Sequence, residues 1–159
     1  MKQSRREFIK GISSASLILL GGGIEKLTPA SAAAMRKGVS LRFIVASDGH
    51  YGQVGTEFDL FHENFIKNVT AFHASNPLDF CVINGDIIHD NKDFLLTAKT
   101  HFDKLPVSYF VTKGNHDMVS DAYWKEVWGM GVTHEVKVGG NTILLATTSN
   151  EKGEYLSPD

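Results

Sequence analysis

Three short runs of apolar, β-branched and aromatic residues punctuate the chain: Leu41–Ser47 (LRFIVAS), Phe80–Asn84 (FCVIN) and Val107–Thr112 (VSYFVT). Their length and composition predict β-strands. Between the first two, Glu57–Ser75 sets Phe58, Phe61, Phe65, Val69 and Phe72 at steps of 3, 4, 4 and 3. That is the period of a helix burying one face, and Asn76-Pro77 stops it. Between the second and third runs, Asp93–Lys104 places Phe94, Leu95, Ala98 and Phe102 on one side of a second helix, ended before Pro106. The order β-α-β-α-β predicts an α/β fold with parallel strands and right-handed crossovers. Further on, Asp121–Trp128 reads as a short helix capped by Asp121. His134–Val138 and Thr142–Ala146 flank Gly139-Gly140-Asn141, a hairpin signal. Thr147–Asp159 is polar and carries Gly153 and Pro158.

Each of the three apolar runs is followed at once by polar residues able to bind metal. They are Asp48-Gly49-His50, then Gly85-Asp86, then Gly114-Asn115-His116-Asp117. In an open α/β sheet, ligands bind beyond the carboxyl ends of the strands. Three such ends bring Asp48, His50, Asp86, Asn115 and His116 to one rim. Carboxylate and imidazole donors suit Mn, Fe and Zn. Asp86 has two oxygens with which to bridge two ions. A pair of ions ~3.5–4 Å apart can clamp the attacking and leaving oxygens of a phosphoryl displacement.

D-x-H, G-D and G-N-H-D, each closing a strand, resemble the calcineurin-like metallophosphoesterases over roughly Leu41 to Thr147. The resemblance implies a sandwich of two sheets flanked by helices, of which this chain carries the β-α-β-α-β start and a following hairpin. It also implies two divalent or trivalent ions, Mn, Fe or Zn. Asp48 and His50 would bind the first ion, Asp86 would bridge, and Asn115 would bind the second through its amide oxygen. His116 would face the scissile phosphate as general acid or charge stabiliser, with Asp117 holding its tautomer. The nucleophile would be a hydroxide bound by both metals, and the substrate a small phosphomonoester or phosphodiester. Purple acid phosphatases lack the His of D-x-H and carry a Tyr three residues after the G-D Asp. Here those positions hold His50 and His89, so the chain resembles the general branch.

The family pattern continues with a lone His after another strand and then G-H-x-H, and neither occurs here. His134 is the only histidine after His116. The final Leu156-Ser157-Pro158-Asp159 resembles the entry to a helix common in the family, so a truncated sequence is expected. An alternative reading is a non-catalytic metal- or phosphate-binding module, or an inactive fragment.

Several other residues have simpler readings. His62, His73 and His101 sit on the predicted helices and read as packed or solvent-facing. His89 and Asp90 follow Asp86 closely and could line the site. Cys81 reads as a small core residue, and Trp124 and Trp128, four apart, as a packing face.

Charge divides the chain. Residues 1–37 carry seven Lys/Arg against Glu7 and Glu25, while residues 38–159 carry nine against sixteen Asp/Glu and hold all seven histidines. An excess of −7 disfavours nucleic acid and suits cations. The single Cys81 excludes an intrachain disulfide and any multi-Cys zinc site. The basic end, Ser4-Arg5-Arg6-Glu7-Phe8-Ile9-Lys10, resembles a twin-arginine export signal. A weakly apolar stretch, Gly11 to Gly23, follows, and it is shorter than the ~20 residues that span a bilayer. Small-residue cleavage positions follow Ala32 or Ala34. Residues 1–34 are therefore expected to be an export signal read by the twin-arginine translocation machinery. Residues 38–159 would be the first part of a periplasmic or extracellular phosphoesterase domain, with no stable membrane anchor.

Overall fold

The computed structural model of the chain describes residues 17–20, 23–26 and 41–156. The chain divides into two compact units, Met1–Ser40 and Leu41–Asp159. In the first, β1 (Leu17–Leu20) pairs antiparallel with β2 (Gly23–Lys26), in register from Leu17↔Lys26 to Leu20↔Gly23. The sequence predicts no strand there. The twin-arginine motif Ser4–Lys10 and the cleavage positions after Ala32 and Ala34 lie outside the described residues. Among the described residues, no helix is long and apolar enough to cross a membrane.

The second unit is built on three parallel strands in the order β3 (Phe43–Ala46), β4 (Phe80–Asn84), β5 (Tyr109–Thr112). The registers Phe43↔Phe80 and Cys81↔Tyr109 carry the ladder across. β4 is central, and four of its five residues are buried. That is why it reads as an unbroken apolar run, as strands covered on both faces do. Cys81 and Ile83 face the helices, whereas Phe80 and Val82 face the other way. Burial pushes the Cys81 thiol up to about 11, so it stays a neutral core group.

Helix α1 (Phe58–Ser75) connects β3 to β4 and ends at Asn76, just before Pro77. Its buried face is His62, Ile66 and Val69. The predicted stripe is thus turned: Phe61 and Phe72 are about half exposed (56% and 47%) and His62 occupies the core. The 3₁₀ turn Lys92–Phe94 and helix α2 (Leu95–Phe102) connect β4 to β5. The predicted Asp93–Lys104 helix therefore has a tighter start, with the Asn91 side chain accepting from the Asp93 N–H at 3.0 Å. Helix α3 (Asp121–Trp128) is capped by Ser120, whose side chain accepts from the Tyr123 N–H at 3.2 Å, rather than by Asp121. Gly129, left-handed at φ 70°, ends it. Trp124 and Trp128 pack on the helix-side core with rings 5.7 Å apart.

The opposite face of the sheet is covered by the hairpin β6 (His134–Val138) and β7 (Asn141–Leu145). Val136, Val138, Ile143 and Leu145 reach Phe80, Val82 and Phe110. Each fully buried side chain of this size contributes about 1.5–3 kcal/mol of transfer free energy. The result is helices, parallel sheet and antiparallel hairpin in layers, with the carboxyl ends of three strands opening on one rim.

Candidate metal centre

The loops leaving β3, β4 and β5 are tied to one another by their backbones. His50 N–H donates to the Asp86 carbonyl (2.8 Å) and Tyr51 N–H to that of Ile87 (2.8 Å). His89 N–H donates to Tyr51 (3.0 Å) and Asp90 N–H to His116 (3.0 Å). The parallel pairing thus continues past the named strands, with a bridge between Tyr51 and Ile88. Gly85 and Gly114 let the loops close up. A Cβ on Gly85 would lie 3.0 Å from the Gly114 Cα, and one on Gly114 would overlap the side chain and N–H of Asp86.

Among the described residues, four that are not glycine have left-handed backbones: Asp48 (φ 59°), His50 (41°), Asp86 (51°) and Asp90 (60°). Each such residue costs of order 1–2 kcal/mol, and such strain gathers at functional sites. The surrounding backbone bonds hold it in place.

Asp48, His50 and Asp86 converge, each offering one donor atom within 4.8 Å of the others. His50 Nε2 is 3.9 Å from an oxygen of Asp48 and 3.9 Å from one of Asp86. Donors bound at ~2.1 Å to one ion lie about 3–4 Å apart, so the spacing and the mixed N/O donor set fit a divalent cation. Asp86 is the more enclosed carboxylate (15% exposed against 66% for Asp48), and one of its oxygens also accepts the His116 N–H at 3.0 Å. Asn115 stands on the adjoining loop, and its Oδ1 accepts from the Tyr155 hydroxyl at 3.1 Å. A second donor group, His50, His89 and His116, shares His50 with the first.

Asp117 does not touch the His116 ring as the sequence leads one to expect. It is fully buried, and its two oxygens accept from the backbone N–H groups of Ile88 (2.9 Å) and Gly114 (2.8 Å). Burial pushes its carboxyl up to about 7, against those two N–H groups, and nearby Asp86 adds to the rise. It ties the β4 loop to the β5 loop. The bond to the His116 ring is made instead by Asp90, whose carboxylate accepts from Nδ1 at 2.8 Å. Among the described residues, Nε2 of His116 has no hydrogen-bond partner. Its ring stacks on His89 at 4.7 Å and 13°.

Sequence proximity to Asp86 was the signal for Asp90, and for His89 also its place three residues after Asp86. Nothing in the sequence pointed to Tyr155, 40 residues from Asn115. Lys113, buried beside Gly114, is anchored by an ion pair with Asp121, and the Thr147 hydroxyl donates to its carbonyl at 2.7 Å. The Asn115 loop is thereby fixed from below.

Searches of curated proteins and of solved structures gave no match. The sequence model of one family, described as Calcineurin-like phosphoesterase, matches residues 41–153, which include all three strand-end loops and the hairpin. With most of its length matched and its Asp and His donors gathered where three parallel strands end, the chain belongs to the calcineurin-like phosphoesterases.

Proposed function

We propose that this protein is an exported phosphoesterase that hydrolyses small phosphomonoesters or phosphodiesters at a two-cation centre. The observation that carries the reading is the convergence of Asp48, His50 and Asp86 at the carboxyl ends of adjacent strands, within the family-matched region. Asp48 and His50 would hold one ion, Asp86 would face both, and Asn115 would contribute to the second. Bound there, the ions would neutralise phosphoryl charge and make water a competent nucleophile at neutral pH.

The chain's own groups do the rest. His116, fixed by Asp90 through Nδ1, presents Nε2 to the phosphoryl group or the leaving oxygen, where it can stabilise charge or donate a proton. Asp86, through its bond to the His116 N–H, sets the distance between the cation donors and that histidine. Asp117 keeps the two loops in register beneath them. The Ser4–Lys10 motif supports export to the periplasm or the cell exterior by the twin-arginine machinery.

The test is hydrolysis of p-nitrophenyl phosphate and bis-p-nitrophenyl phosphate by the full chain with added manganese, beside Asp86→Ala. Turnover lost in the variant and in chelator is expected. Full turnover by Asp86→Ala would refute the reading. A fusion of residues 1–37 to a folded reporter, with and without Arg5→Lys/Arg6→Lys, tests export separately.

A further inference from the structure

His50 belongs to both donor groups, and its two ring nitrogens face different partners. Nε2 lies 3.9 Å from each of the Asp48 and Asp86 carboxylates. Nδ1 lies 3.2 Å from Nδ1 of His89. We propose that His89 is a positioning residue that accepts the His50 Nδ1 proton and so fixes His50 in the tautomer whose Nε2 lone pair faces the cation. This rests on the metal-centre reading above.

The proton count makes the case. A neutral imidazole carries one N–H, and a cation ligand must present a bare nitrogen. With nothing to accept at Nδ1, two carboxylates near Nε2 favour the proton there, where it blocks the lone pair. An acceptor at Nδ1 reverses that preference. Metal-binding histidines ordinarily donate their second N–H to a carboxylate, a carbonyl or water. Here that place is taken by a second imidazole. Accepting at Nδ1 puts the His89 proton on Nε2, which lies 3.9 Å from the Asp90 carboxylate. The other oxygen of Asp90 accepts from the ring of His116. One carboxylate thus faces both the ring that orients His50 and the ring expected to face substrate.

The His89 ring is well placed for such a role. The His89 backbone N–H is bonded to the Tyr51 carbonyl, and the His89 carbonyl accepts from the Asn91 N–H (2.8 Å). The ring is stacked on His116 and meets the His50 ring edge-on at 5.1 Å and 75°. An edge-on approach suits a nitrogen-to-nitrogen hydrogen bond in the plane of the donor ring.

The experiment uses zinc, which is diamagnetic, and three forms of the full chain: unmutated, His89→Ala and His89→Asn. The Asn side chain keeps an acceptor oxygen near the place of Nδ1. Zinc stoichiometry and affinity are measured by calorimetry, and the His50 tautomer by ¹⁵N NMR in the zinc-free and zinc-loaded states. We expect His89→Ala to bind zinc about 10–100-fold more weakly at unchanged stoichiometry. Its zinc-free His50 should shift towards the Nε2–H tautomer, and His89→Asn should recover most of both. Affinity within twofold of the unmutated chain in His89→Ala would overturn the proposal. So would loss of one zinc equivalent, which would make His89 a ligand. Failure of the unmutated chain to bind zinc would overturn the metal centre itself, and is told apart because it appears before any substitution.

Discussion

Two aspartates divide work that the sequence assigns to one. Asp117 is adjacent to His116 in sequence but spends both oxygens on backbone N–H groups, whereas Asp90, 26 residues away, reaches the imidazole. Their substitutions should separate cleanly. Asp90→Gly suits the backbone at φ 60° and removes only the carboxylate. It should lower turnover by about 100-fold, the lower end of what a positioned acid–base group contributes, and leave the melting temperature nearly unchanged. Asp117→Asn turns an N–H donor towards Ile88 or Gly114 and should cost about 1–3 kcal/mol of stability. Steady-state kinetics and thermal melts of both variants check this. An Asp117→Asn protein as stable as the parent would refute the structural role.

Elements were legible where one physical cause dominated. β4 was readable to the residue because both its faces are covered, and the Gly139-Gly140 hairpin carried its own turn signal, whereas the Asp121–Trp128 helix was legible in extent but not in its cap, which is Ser120 rather than Asp121. The buried face of α1 was not readable, because Phe58, Phe65 and Val69 fit more than one phase of the helix. The phase is settled by the packing against Tyr51, His101 and Phe102, where the buried ring is His62 while Phe61 is exposed. Of the site, the gathering of Asp48, His50 and Asp86 at the strand ends followed from the topology. The Asp90–His116 bond did not, since it depends on a left-handed turn that composition does not reveal. The buried face has a pH signature. Burial holds the His62 pKa below 6.5, only partly opposed by the Phe58 carbonyl on Nδ1; neighbouring His101 lowers it further and Asp59 raises it. Well above 6.5 the ring is neutral in both folded and unfolded chains, and the contribution is whole. As pH falls below 6.5 the unfolded chain takes up the proton first, and stability is lost with a slope of at most about 1.4 kcal/mol per pH unit. Denaturant midpoints between pH 7 and 5 should therefore fall less steeply in His62→Gln. Equal slopes would show that other groups govern the acid limb.

Across the molecule, charge and chemistry meet at one rim. Residues 38–159 carry an excess of seven negative charges, and Asp48, Asp86 and Asp90 lie together at the strand ends. A cation that binds only the folded chain stabilises it by about 2.7 kcal/mol at a hundredfold excess over its dissociation constant. For a unit of this size that is a rise on the order of 10 °C in melting temperature. Micromolar manganese or zinc should produce that rise and chelator should abolish it. If sodium chloride at equal ionic strength did the same, general screening would be the cause rather than a site.

The left-handed backbone at Asp48 carries a consequence for how the protein can change over generations. A side chain useful to the chemistry occupies a conformation that glycine adopts with less strain. Function and robustness therefore pull in opposite directions at this position. Asp48 is largely exposed and close to a second carboxylate, so Asp48→Gly should melt at or above the parent in chelator while losing its response to metal. A lineage released from selection for activity would drift most easily here, towards a sturdier and silent protein.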